Sequence, residues 1–100
     1  MRRLGVAAAL VDGRRVAGDV TVEDGVVTGV GVAPAGTSGL AVPGFVDLQV
    51  NGFAGVDVLH ADPADLAAMG AALAATGVTA HRPTLITAAP ADHERALRAI

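Results

Sequence analysis

Asp47, Gln49 and Asn51 occupy every second position of P-G-F-V-D-L-Q-V-N-G, the stretch from Pro43 to Gly52. In an extended strand residues two apart point the same way, so these polar side chains share one face and Val46, Leu48 and Val50 share the other. One carboxylate and two carboxamides in a row offer hydrogen-bond donors and acceptors to a small polar ligand. The same alternation also describes an antiparallel strand with one wet face, on which the three side chains merely meet solvent. Asn51-Gly52 is compatible with a plain tight turn under either reading.

Other residues with chemical potential are weaker candidates. His60, His81 and His93 fit neither a His-x-His nor a helical i, i+4 metal pair, and no cysteine is present to assist them. Structural or solvent-facing roles suit them better, with His81 retained as pocket-adjacent because it falls on a predicted strand. Asp57 and His60 suggest a dyad, but the pattern supplies no nucleophilic Ser or Cys. Arg82 and Thr84 flank Pro83; an arginine there has the chemistry to grip a phosphate, yet a solvated or paired side chain is the simpler reading. Gly29-x-Gly31 runs into Val-Ala-Pro, so the dinucleotide fingerprint fails at its third glycine.

The elements that must carry these residues fall into two groups. Residues 4 to 31 read as a meander of short strands, L-G-V-A-A-A-L-V, R-V-A-G-D-V-T-V-E and V-V-T-G-V-G, separated by Asp12-Gly13 and Asp24-Gly25. Asp-Gly supplies the positive φ angles of tight hairpin turns. A linker rich in Gly, Pro and Ala over 32 to 39 marks a boundary, which divides the chain into residues 1–40 and 41–100. Beyond it, the strand F-V-D-L-Q-V-N-G leads to a helix with Asp62 as N-cap, Pro63 at its first position, Asp65 in its first turn and Gly77 as its stop. Leu66, Met69, Gly70 and Leu73 form its inward face. A second strand, V-T-A-H-R-P-T-L-I-T, and a helix from about Pro90 follow. Strand, helix, strand, helix with short connections is the pattern of βα units on a parallel sheet. The fold class expected is therefore α/β: an antiparallel β segment followed by two βα units, at most the opening quarter of a (β/α)₈ barrel of ~250 residues. In such a barrel the inward residues near the carboxyl ends of strands line the active-site mouth, which makes Asp47, Gln49, Asn51 and Gly52 pocket lining.

P-G-F-V-D-L-Q-V-N-G-F-A-G-V-D-V, with G-V-T-A-H-R-P-T-L-I-T after it, resembles the N-acetylglucosamine-6-phosphate deacetylase family of the amidohydrolase superfamily, and G-D-V-T-V-E-D-G-V-V-T-G-V-G is similar to the β segment that opens many amidohydrolases. P-G-F-V-D is shared across the superfamily, whereas D-L-Q-V-N-G and P-T-L-I-T point to the deacetylases. The resemblance implies a β-sandwich segment at 1–40, a barrel start at 41–100, and hydrolysis of N-acetylglucosamine 6-phosphate to glucosamine 6-phosphate and acetate. Most amidohydrolases carry metal-binding His-x-His where this chain has Gln49-x-Asn51. A carboxamide oxygen is a poor zinc ligand beside an imidazole nitrogen, so the metal that His-x-His would hold is expected to be lost. In the deacetylases a single divalent metal, zinc, is held by a Glu and two His of later strands, with an Asp as general acid/base; here those positions would lie beyond Ile100, so neither a metal ligand nor a catalytic residue is expected within this chain. The family also implies a cytoplasmic homo-oligomer. P-G-F-V-D alone would equally suit an amidohydrolase acting on a cyclic amide, and a rival from another class is a non-catalytic β-rich assembly module.

The remaining features narrow the partners. A net charge of -3 with no lysine leaves no basic patch, so neither nucleic acid nor an anionic membrane is an expected partner. M-R-R-L-G-V-A-A-A-L-V imitates a signal peptide, but it breaks at Asp12-Gly13 without a convincing cleavage site and reads better as a first strand. No apolar run approaches the ~20 residues of a membrane span. The last segment, A-D-H-E-R-A-L-R-A-I, runs helically to Ile100 with no stop signal, which suggests a piece of something longer.

Overall fold

The computed structural model describes residues 1–100. It is an α/β structure of several small sheets and two helices, and its chain divides into two compact units, Met1–Pro43 and Gly44–Ile100.

The first unit holds β1 (Arg2–Arg3), β2 (Val6–Val11), β3 (Arg14–Ala17), β4 (Asp19–Glu23), β5 (Val26–Val32) and β6 (Ser38–Ala41). Asp12-Gly13 and Asp24-Gly25 all take positive φ and close the β2–β3 and β4–β5 hairpins, where Val11 pairs with Arg14 and Glu23 with Val26. The meander expected from the sequence is divided, however. R-V-A-G-D-V-T-V-E is two strands that belong to different sheets, β3 in the order β3-β2-β6 and β4 in the order β1-β4-β5. The break is at Gly18, whose φ is +114° and whose added Cβ would lie 2.4 Å from the backbone carbon of Gly31, so only glycine fits. The end of the expected linker also joins a sheet: β6 pairs with β2, and in parallel.

Asp19 follows that break and is buried. Its Oδ1 accepts from the backbone N–H groups of Val20 at 2.8 Å and Val6 at 3.0 Å, and its Oδ2 from Arg3 Nε at 3.0 Å. The Arg3 guanidinium also donates to the carbonyls of Val32, Ala33 and Pro34. One carboxylate thus ties β1, the start of β2 and β4 together, and through Arg3 the end of β5. Burial pushes the Asp19 carboxyl up, but the two N–H groups and the guanidinium outweigh it and hold it below the usual 3.8.

The second unit holds β7 (Phe45–Val50), the β8–β9 hairpin (Gly52–Phe53 and Val56–Asp57), α1 (Pro63–Ala74), β10 (Val78–Pro83) and α2 (Pro90–Ala99). β7 and β10 are parallel neighbours, with α1 in the connection between them. α1 begins with a capping box in which Asp65 N donates to Asp62 Oδ1 at 2.8 Å and Asp62 N to Asp65 Oδ2 at 3.1 Å. Its inward side supplies Met69 and Leu73 to a core completed by Val50 and Val58, with Leu66, Val56, Val78 and Leu85 packed around it.

Two features of this unit go beyond what the alternation along β7 discloses. Val46 and Leu48 are 61% and 69% exposed, so of the apolar face of β7 only Val50 is covered. The reason is that α1 packs chiefly on β10 and on the β8–β9 hairpin. Asn51-Gly52 is not the tight turn either. Gly52 starts β8, and the turn lies at Ala54-Gly55, with φ +52° and +82°. No helix is long and apolar enough to cross a membrane.

Met69 is fully buried, so Met69→Ala is expected to lower stability by about 2–5 kcal/mol, read from the urea midpoint. Asp19 binds its proton less readily folded than unfolded, so its contribution is complete above pH 3.8 and fades as pH falls through its lower folded value. Asp19→Asn should remove that part of the acid dependence when unfolding is followed between neutral pH and pH 2.

Candidate functional site

The carboxyl end of β7 is positioned through Val50. Its side chain is in the core and its carbonyl accepts from Thr84 N at 2.9 Å, which joins the ends of β7 and β10. Around this anchor the polar residues are accessible. Gln49 and Asn51 are exposed and Asp47 is half-buried. Asp47 Oδ1 accepts from Gln49 N at 3.1 Å, so this carboxylate fixes the backbone beside it. The Asn51 carbonyl accepts from Val58 N at 3.1 Å. Gly52 has a different importance from its neighbours: a Cβ there would lie 2.6 Å from the Val56 carbonyl oxygen, so the hairpin closes only over glycine.

Chain leaving β7 at Asn51 comes back at Asp57, which is paired with Gly52. Here the structure joins the two residues that the sequence suggested as a dyad. Asp57 Oδ2 faces His60 Nδ1 at 2.8 Å, and Asp57 Oδ1 accepts from Leu59 N at 3.1 Å. The hydrogen bond from His60, then that from Leu59, holds the Asp57 carboxyl below its usual value of 3.8. Both side chains remain more than half exposed. A cavity of about 250 Å³ opens beside them, lined by Gly55, Val56, Asp57, His60, Ala61 and Asp65. No Ser or Cys occurs between Gly44 and Ile100, so nothing in this unit makes the pair a nucleophilic triad.

The other two histidines are engaged elsewhere. His81 is half-buried opposite Asp47, with its Cε1 3.6 Å from where a Cβ on Gly70 of α1 would stand. His93 Nε2 pairs with the Ile86 carbonyl at 2.7 Å. Arg82 is exposed. Thr84 Oγ1 is buried without a hydrogen-bond partner at the carboxyl end of β10, a feature that its place after Pro83 did not disclose. No group of three or more His, Cys, Asp or Glu side chains is arranged to hold a metal ion.

Compared with protein-family models, curated proteins and solved structures, the chain matches none.

His60→Ala should let the Asp57 carboxyl titrate closer to 3.8, as followed by carboxyl chemical shifts in an NMR pH series. The thermal midpoint at neutral pH should barely move, since ion pairs as exposed as this one contribute little to stability.

Proposed function

We propose that the chain is the amino-terminal part of a metal-dependent amidohydrolase that deacetylates N-acetylglucosamine 6-phosphate, with Gly44–Ile100 as the first two βα units of a (β/α)₈ barrel. The observation that supports this most is the parallel pairing of β7 with β10 through α1, with Gln49-x-Asn51 at the carboxyl end of β7. Parallel strands connected by a helix are the repeating unit of such barrels, whose ligands bind at the carboxyl ends of the strands. Parallel sheets are ordinarily covered on both faces. β7 and β10 pair only with each other and leave Val46 and Leu48 exposed, as the opening strands of a larger sheet would.

In this reading Gln49 and Asn51 stand where other amidohydrolases hold a metal with two histidines. Their carboxamides do not fit that metal, and they act instead by hydrogen bonding, each with an oxygen that accepts and an amino group that donates. Asp47 keeps the backbone at Gln49 in place for them. The divalent ion, zinc, and the general acid/base belong to residues beyond Ile100. The substrate is a small amino-sugar phosphate whose acetamide is hydrolysed to an amine and acetate, and the complete protein is a cytoplasmic homo-oligomer.

Acetate release from N-acetylglucosamine 6-phosphate by the full-length protein is the direct test, and its absence would overturn the substrate assignment. The double variant Gln49→His/Asn51→His should take up additional zinc, measured by elemental analysis of the purified protein. If its zinc content equals that of the wild type, the two positions are not a former metal site.

A further inference from the structure

A second polar group is fastened to the same end of β7. Gly52 pairs with Asp57 across the hairpin, and the Asn51 carbonyl accepts from Val58 N, so Asp57 and His60 are held close in the fold to the backbone of Asn51. Val58 and Leu59 between them are buried, which anchors the turn while the His60 ring remains 63% exposed. A carboxylate only accepts hydrogen bonds, so Nδ1 of His60 carries the proton directed at Asp57. In the neutral ring this leaves Nε2 with its lone pair free. Leu59 N holds the carboxylate, the carboxylate holds the ring, and the ring presents one oriented acceptor. His60 alone among the three histidines has a carboxylate partner.

The chemistry of the adjoining cavity narrows what that acceptor would meet. Besides His60 its charged lining is Asp57 and Asp65, both acidic, and neither Arg nor Lys contributes. A phosphate would be repelled there. A hydroxyl that donates to Nε2 is suited to it.

We infer that His60, oriented by Asp57, contacts the substrate and accepts a hydrogen bond at Nε2 from a sugar hydroxyl. This rests on the amino-sugar hydrolase reading and assigns the loop after β7 a part in binding that Gln49 and Asn51 do not cover. Asp57 is a positioning residue, acting only through the ring.

Steady-state kinetics of the full-length protein on N-acetylglucosamine 6-phosphate test the inference. His60→Ala should raise KM about tenfold, the cost of one lost hydrogen bond, and leave kcat within about twofold. His60→Gln, whose carbonyl offers an acceptor, should recover part of the loss. Asp57→Ala should raise KM less, and Asp57→Ala/His60→Ala no more than His60→Ala alone, because the two side chains act as one unit. An active wild type whose KM is unchanged by His60→Ala would overturn the role of His60 and leave the deacetylase reading standing. A wild type that releases no acetate would overturn that reading and this role with it.

Discussion

The placement of the polar residues in the second unit depends on the burial of Val50. Its side chain shares one core with Met69 and Leu73 of α1, and its carbonyl receives Thr84 N, so one residue couples β7 to the helix and to the end of β10. Gln49 and Asn51 flank it and carry no comparable packing of their own, being exposed. Apolar burial is non-directional, whereas the backbone hydrogen bond at Val50 sets direction; together they fix where a flanking side chain can reach. Val58, on the far side of the hairpin, enters the same core and donates to the Asn51 carbonyl, which brings Asp57 and His60 to the end of the strand.

The first unit has a different kind of constraint. With Ala8, Ala9 and Val20 as its buried apolar side chains it has small residues to pack, and the Asp19 carboxylate joins segments that these contacts alone would hold loosely. Gly18 makes that arrangement possible because the chain passes too close to Gly31 for any side chain. A polar group buried with all of its acceptors engaged adds direction that a core of alanines and valines lacks.

Local signals in the sequence were readable where the cause is local. Asp12-Gly13, Asp24-Gly25 and the N-cap Asp62 act over two to four residues, and the structure has them where the residue types require. The inward side of α1 was readable too, since helical spacing places Met69 and Leu73 on one side whatever they meet. Division of one expected strand at Gly18 was not, because its cause is a close approach to Gly31 from elsewhere in the chain. Neither was the turn at Ala54-Gly55: alanine at positive φ is held there by the pairing of Phe53 with Val56.

For the candidate site, the sequence by itself determined which side chains alternate along β7 and that Asp57 and His60 lie near each other in the chain, because strand and turn periodicity follow from backbone geometry. Only the tertiary structure decided that Val50 alone of the apolar face is covered, that Asp57 holds His60, and that a hairpin returns this pair to Asn51. The first depends on where α1 rests, a long-range packing result; the other two are closer in the chain but depend on how the hairpin closes over Gly52, which residue types alone do not fix.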